Sequence, residues 1–156
     1  DFGSVLTAPA VTVAEENKQL LFDETGTGAT FFTPSNKYIV LTGLPTSQIW
    51  PDRLVSYLIA QKINKVAIVY CTNDFDASQD NTIVTNLKAA GITPVYNQAV
   101  ANSTSNYQVL INDIAASHPQ AVLELGFPNN DIPFCRACSR AATTSTSCSP
   151  SSQASC

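Results

Sequence analysis

The chain of 156 residues has a single histidine, His118, and that scarcity excludes much. A Ser-His-Asp arrangement needs a histidine, and this one sits between a helical and a strand segment, before Pro119, where it reads as a helix end. No GxSxG nucleophile elbow is present. Gly26-Thr27-Gly28 is not followed by the residues that complete a dinucleotide or P-loop signature. Basic residues are also few, 8 Lys and Arg against 12 Asp and Glu, so the net charge of −4 lacks the basic face that nucleic acid needs. No apolar run reaches the roughly 20 residues that span a bilayer. These absences point away from an enzyme, from nucleic acid and from a membrane span.

Asp74, Asp76 and Asp80 lack the Gly and Glu that complete an EF-hand loop, and read as acids at a helix N-terminus. The five cysteines are an odd count for a disulfide framework. Four of them, Cys135, Cys138, Cys148 and Cys156, give one close pair and two widely spaced members, whereas zinc ribbons use two close pairs. Neither a metal nor a cofactor is expected.

What is present is a globular composition, 44% apolar and 13% charged. It alternates strand and helix. Helices are expected over residues 4–19, from Pro51-Asp52 through Ile59, over 77–90 with Gly91 as C-cap, over 107–117, and from Ile132 onward. Strands are expected at 20–22, 38–41, 65–70, 93–96 and 121–125. The run Lys65-Val66-Ala67-Ile68-Val69-Tyr70 is continuously apolar, as in a strand buried on both faces. The alternation predicts an α/β fold with a parallel sheet between helical layers, with ligands at the strands' carboxyl ends. Those ends fall at 25–28, 71–76 and 126–129.

The chain opens at Asp1-Phe2-Gly3-Ser4, without an initiator Met or a leader, like the middle of a fold. Residues 141–156 are almost wholly Ser, Thr, Ala and Cys. Such a segment buries too little to offset its ordering entropy, so an irregular tail is expected. Its Ser and Cys codons, read one base out of frame, become T-centred codons for apolar residues, and all four tail cysteines become Leu. The tail therefore reads as frameshifted, the other frame restoring an apolar strand beside 121–125.

Several stretches resemble type 1 periplasmic solute-binding proteins, specifically the leucine/isoleucine/valine-binding group. They are Phe2-Gly3-Ser4 to Pro9, the helix before Leu20-Leu21-Phe22, Lys65 to Tyr70 followed by Asn73-Asp74-Phe75, and Leu87 to Ile92. The helix 107–117 and Pro119-Gln120-Ala121-Val122 leading to Gly126 complete the set, which covers roughly residues 1–140. The resemblance implies two α/β lobes with a solute in the cleft between them. Residues 1–45 are then the end of a first-lobe segment, 46–140 the core of the second lobe, and the chain a fragment. It further implies an extracytoplasmic protein that delivers an amino acid or amide to an ABC permease. The alternative is a ligand-sensing receptor domain of the same fold.

By the same resemblance Ser4 grips the solute carboxylate, Thr25 and Thr27 assist, and Phe75 and Phe127 oppose them as aromatic lids. Phe75 and Phe127 stand where many members have a hydrogen-bonding Tyr, and Asp76 stands where Gly is usual. Core packing is the other role open to the two phenylalanines.

Overall fold

The computed structural model describes residues 3–145. Its larger sheet has three parallel strands, β3 (Val66–Cys71), β4 (Tyr96–Val100) and β5 (Ala121–Leu125), in the order β4-β3-β5. β3 is central, and Val66 to Val69 are completely buried. Its side chains alternate between faces. Val66 and Ile68 meet Val55 and Leu58 of α2 (Asp52–Ala60) and Ile83 and Leu87 of α3 (Asp74–Ala89). Ala67 and Val69 meet Ile111 and Ile114 of α4 (Gln108–Ala116) and Phe134 and Ala137 of α5 (Pro128–Ser145). The result is three layers, helices over both faces of a parallel sheet.

This layering follows from strand order. The chain leaves β3 through α3 to β4, then crosses back through α4 to β5 on the other side of β3. Right-handed crossovers in opposite directions put α3 and α4 on opposite faces. The neighbours β3 and β5 therefore send their next helices to opposite sides, which opens a crevice beyond their carboxyl ends.

A smaller sheet pairs β1 (Leu21–Asp23) with β2 (Ile39–Leu41) in parallel, Leu21 opposite Ile39. Val11 of α1 (Ser4–Asn17), Phe31 and Ile39 form its core. The two sheets meet along α3. Ser47 Oγ lies 2.6 Å from Ser78 Oγ, and the Thr30 N–H donates to Asp74 Oδ2 at 3.2 Å.

Three elements start three or more residues from the expected position. β4 is Tyr96–Val100, not 93–96. Pro94 has no N–H for a ladder, so pairing starts beyond it, with Tyr96 opposite Ala67. α3 begins at Asp74, three residues earlier than expected. Asn73 caps it, its Oδ1 accepting the Asp76 N–H at 3.0 Å. The last helix starts at Pro128, a residue suited to the first helical position, and runs to Ser145. Residues 141–145 are thus helical where an irregular tail was expected. Residues 146–156, with Cys148, Cys156 and most of the segment read as frameshifted, lie outside the described residues. Among the described residues β5 has one strand partner, β3, and Val122 on it is 42% exposed.

Candidate functional site

The crevice between the ends of β3 and β5 holds two aromatic rings. Phe75 stands in the first turn of α3 and Phe127 in the turn between β5 and α5. Their centroids are 5.7 Å apart with planes 22° from parallel, an offset stack. Trp50, the only tryptophan of the chain, meets Phe75 edge-on at 5.2 Å. Its indole N–H donates to the Pro45 carbonyl at 2.8 Å, which fixes the ring. These rings, with Gly3, Glu24, Thr25 and Leu44, wall a cavity of about 210 Å³.

A tight turn also borders the cavity, through Glu24 and Thr25. Asp23 is buried, and its Oδ1 accepts the N–H groups of Thr25 at 3.0 Å and Gly26 at 2.7 Å. The Thr25 hydroxyl accepts the Gly3 N–H at 3.0 Å. Gly3 precedes α1 with φ 77°, a conformation glycine adopts without strain. Side-chain atoms placed on Gly3 would meet the Phe127 ring at 3.6 Å, so the start of α1 and the ring platform are in contact distance.

The five residues singled out from the sequence converge on this region at different depths. Thr25, Phe75 and Phe127 line the cavity. Ser4 and Thr27 do not line it and are buried, Ser4 being 2% exposed and Thr27 0%. The Ser4 Oγ accepts the Gly28 N–H at 2.9 Å, which ties the start of α1 to the turn. The Thr27 hydroxyl has no hydrogen-bond partner. A buried unpaired hydroxyl costs free energy that an isosteric methyl does not. Thr27→Val is therefore expected to raise stability by about 1 kcal/mol, measured by thermal unfolding; a loss of stability would show that the hydroxyl is satisfied.

Gly3, Glu24, Leu44 and Trp50 were not singled out from the sequence. A signal existed, since the segment after β2 also leaves a strand's carboxyl end and carries the sole tryptophan between Pro45 and Pro51. Asp76, next to Phe75, is fully buried, and burial lifts its carboxyl to about 6 despite the hydrogen bond from Asn73. Cys71 ends β3, and burial, with Asp76, Glu124 and Asp131 nearby, pushes its thiol up to about 12, so it stays protonated and unreactive.

The family model for periplasmic binding proteins matches residues 1–151, and the chain belongs to that family. It has the type 1 fold of that group. A solute-binding protein of an ABC transporter from R. palustris, in complex with 4-hydroxybenzoate, is similar at 14% identity with a TM-score of 0.79, over 94% of this chain and 39% of that one. A type 1 periplasmic binding protein from Bordetella pertussis Tohama I is similar at 12% identity and a TM-score of 0.78, over 91% of this chain and 40% of that one. A protein from Rhodospirillum rubrum assigned to branched-chain amino acid ABC transport shares 19% identity with a TM-score of 0.64, over 93% of this chain and 41% of that one. At such identities the likeness is one of fold. The chain spans about two fifths of the length of these structures. No curated protein matches it. The family is one of solute-binding proteins that work outside the cytoplasm, and among the described residues no helix is long and apolar enough to cross a membrane.

Proposed function

We propose that this chain forms the solute-binding part of an ABC importer, capturing a small amino acid or related carboxylate outside the cytoplasm for delivery to a membrane permease. The observation that supports this most is the position of the aromatic cavity. It lies beyond the carboxyl ends of β3 and β5, where parallel sheets of this topology take their ligands. Phe75, Phe127 and Trp50 offer flat apolar surface to the body of a solute. Beside them the Thr25 hydroxyl and the N-terminus of α1, at Ser4, suit a carboxylate, because the helix dipole favours negative charge there. Ser4 supports that end through its hydrogen bond from the Gly28 N–H, which ties the start of α1 to the turn. With phenylalanine at 75 and 127, the rings give contact area and no hydrogen bond, so solute polarity is read at the Thr25 end.

The test is calorimetric titration with leucine, a short aliphatic amide and 4-hydroxybenzoate. Saturable binding of at least one carboxylate, lost when it is replaced by the matching alcohol, is expected. Equal binding of acid and alcohol would remove the carboxylate assignment. Absence of binding by every probe in the protein with both lobes intact would remove the proposal.

A further inference from the structure

A cluster of acids lies beneath the ring platform. Glu124 stands opposite Val69 in the parallel ladder, so its side chain projects onto the same apolar face, toward α4 and α5. Its carboxyl lies beside that of Asp131, in the first turn of α5: a Cβ placed on Gly126 would meet Glu124 Oε1 at 2.7 Å and Asp131 Oδ1 at 3.2 Å. The groups around it come from every neighbouring element: Cys71 from β3, Asp76 from α3, Tyr107 at the start of α4, and Asn130 and Asp131 from α5. Each charged group that acts on Glu124 is acidic. Arg136 and Arg140, further along α5, line a separate recess with Ser105 and Gln108.

The cluster is also short of donors. Asp76 and Asn130 are fully buried, and Asp76 Oδ1, Asn130 Oδ1 and Glu124 Oε1 have no hydrogen-bond partner. Two carboxyl groups side by side need one proton between them, because two carboxylates repel. The pair is joined to the platform by the main chain. The N–H groups of Asn130 and Asp131 donate to the Phe127 carbonyl at 2.7 and 2.9 Å. Asp76 directly follows Phe75.

We propose that the Glu124–Asp131 pair is a proton-dependent latch on the Phe75–Phe127 platform. With the shared proton in place, Glu124 donates to the Asp131 carboxylate and holds the first turn of α5 against the end of β5, so that the rings stack. When the proton leaves, the two carboxylates repel, the first turn of α5 moves away, and Phe127 moves with it.

Burial first, then the hydrogen bond and charge of Asp131 and the charge of Asp76, raise the Glu124 carboxyl to about 8. The folded protein therefore keeps a proton that the unfolded chain gives up in the ordinary carboxylate range. The stability this contributes is complete below that range and is lost as pH rises to about 8.

Trp50 provides a readout that needs no solute, since its ring touches Phe75, and Phe75 touches Phe127. Its emission is recorded in solute-free protein from about pH 7 to about pH 10, a range that lies above the Asp76 carboxyl, spans the raised Glu124 carboxyl and ends near ordinary tyrosine ionisation. The wild-type protein should show one step with its midpoint at about 8. Glu124→Gln should abolish the step, because the amide still donates to Asp131 and cannot ionise. Asp131→Asn removes the neighbouring charge and should shift the midpoint down by at least about one unit. A featureless wild-type curve, the same step in Glu124→Gln, or an unmoved midpoint in Asp131→Asn would overturn the latch. The measurement uses no ligand, so its failure leaves the solute-binding proposal standing, and failure of the solute titrations leaves the latch standing.

Discussion

Replacing Phe127 with alanine is expected to weaken solute binding by roughly 10- to 100-fold, the range for truncating a central aromatic contact. The ring is half-buried and gives one face to Phe75 at 5.7 Å. Its removal takes away contact area for the solute and also the neighbour that orients Phe75. A stacked pair contributes about 0.5–1.5 kcal/mol beyond the area it buries, so Phe75→Ala should produce a loss of the same order. The double variant should lose less than the sum, because the two rings act as one surface. Phe127→Leu keeps volume without a flat face and should fall between wild type and alanine. Calorimetry gives the affinities, and circular dichroism checks the fold. Unchanged affinity with a lower unfolding temperature would assign both rings to core packing.

Ile68→Ala is expected to cost about 3–4 kcal/mol of stability. Ile68 is fully buried on the central strand, among Val55, Leu58, Ile83 and Leu87. β4 and β5 flank it, so the neighbouring backbone cannot collapse into the space without breaking a ladder. The deletion therefore leaves a cavity and adds its cost to the lost transfer energy. Val122→Ala on β5 is the control. That side chain is 42% exposed, and its removal should cost under about 0.5 kcal/mol. Urea unfolding measures both, and near-equal losses would contradict the assignment of β3 as the centre of the core.

β3 could be read from sequence because burial on both faces leaves it uniformly apolar. The extent of β4 could not, since Tyr96-Asn97-Gln98-Ala99-Val100 carries no apolar pattern of its own. Its position is set by β3 and by its own neighbours: Asn97 donates to Asp80 Oδ1 of α3 at 3.0 Å. Its start is set by the missing N–H of Pro94. A strand held by its partners is invisible to periodicity.

The site divides in the same way. Phe75 and Phe127 fall within the segments that the rule about strand ends marks, and the family resemblance picked them out there. Trp50 depends on where the loop after β2 returns, which is a property of the chain path. The depth of Ser4 and Thr27 is likewise not encoded in residue type, since a hydroxyl is the same group whether it faces a cleft or a backbone amide. Glu124 gave no signal, being one acid within an apolar strand whose partner, Asp131, is seven residues on in the next helix.

The central claim is that a solute lies on the Phe75–Phe127 platform with its carboxylate toward Thr25 and the start of α1. A crystal structure of the protein soaked with whichever probe binds in calorimetry tests it most directly. The account predicts density in the cavity walled by Trp50, Phe75 and Phe127, with a carboxylate within hydrogen-bonding distance of Thr25 or of the Ser4 N–H. Density at another surface, or a carboxylate turned toward Glu124 and Asp131, would contradict it.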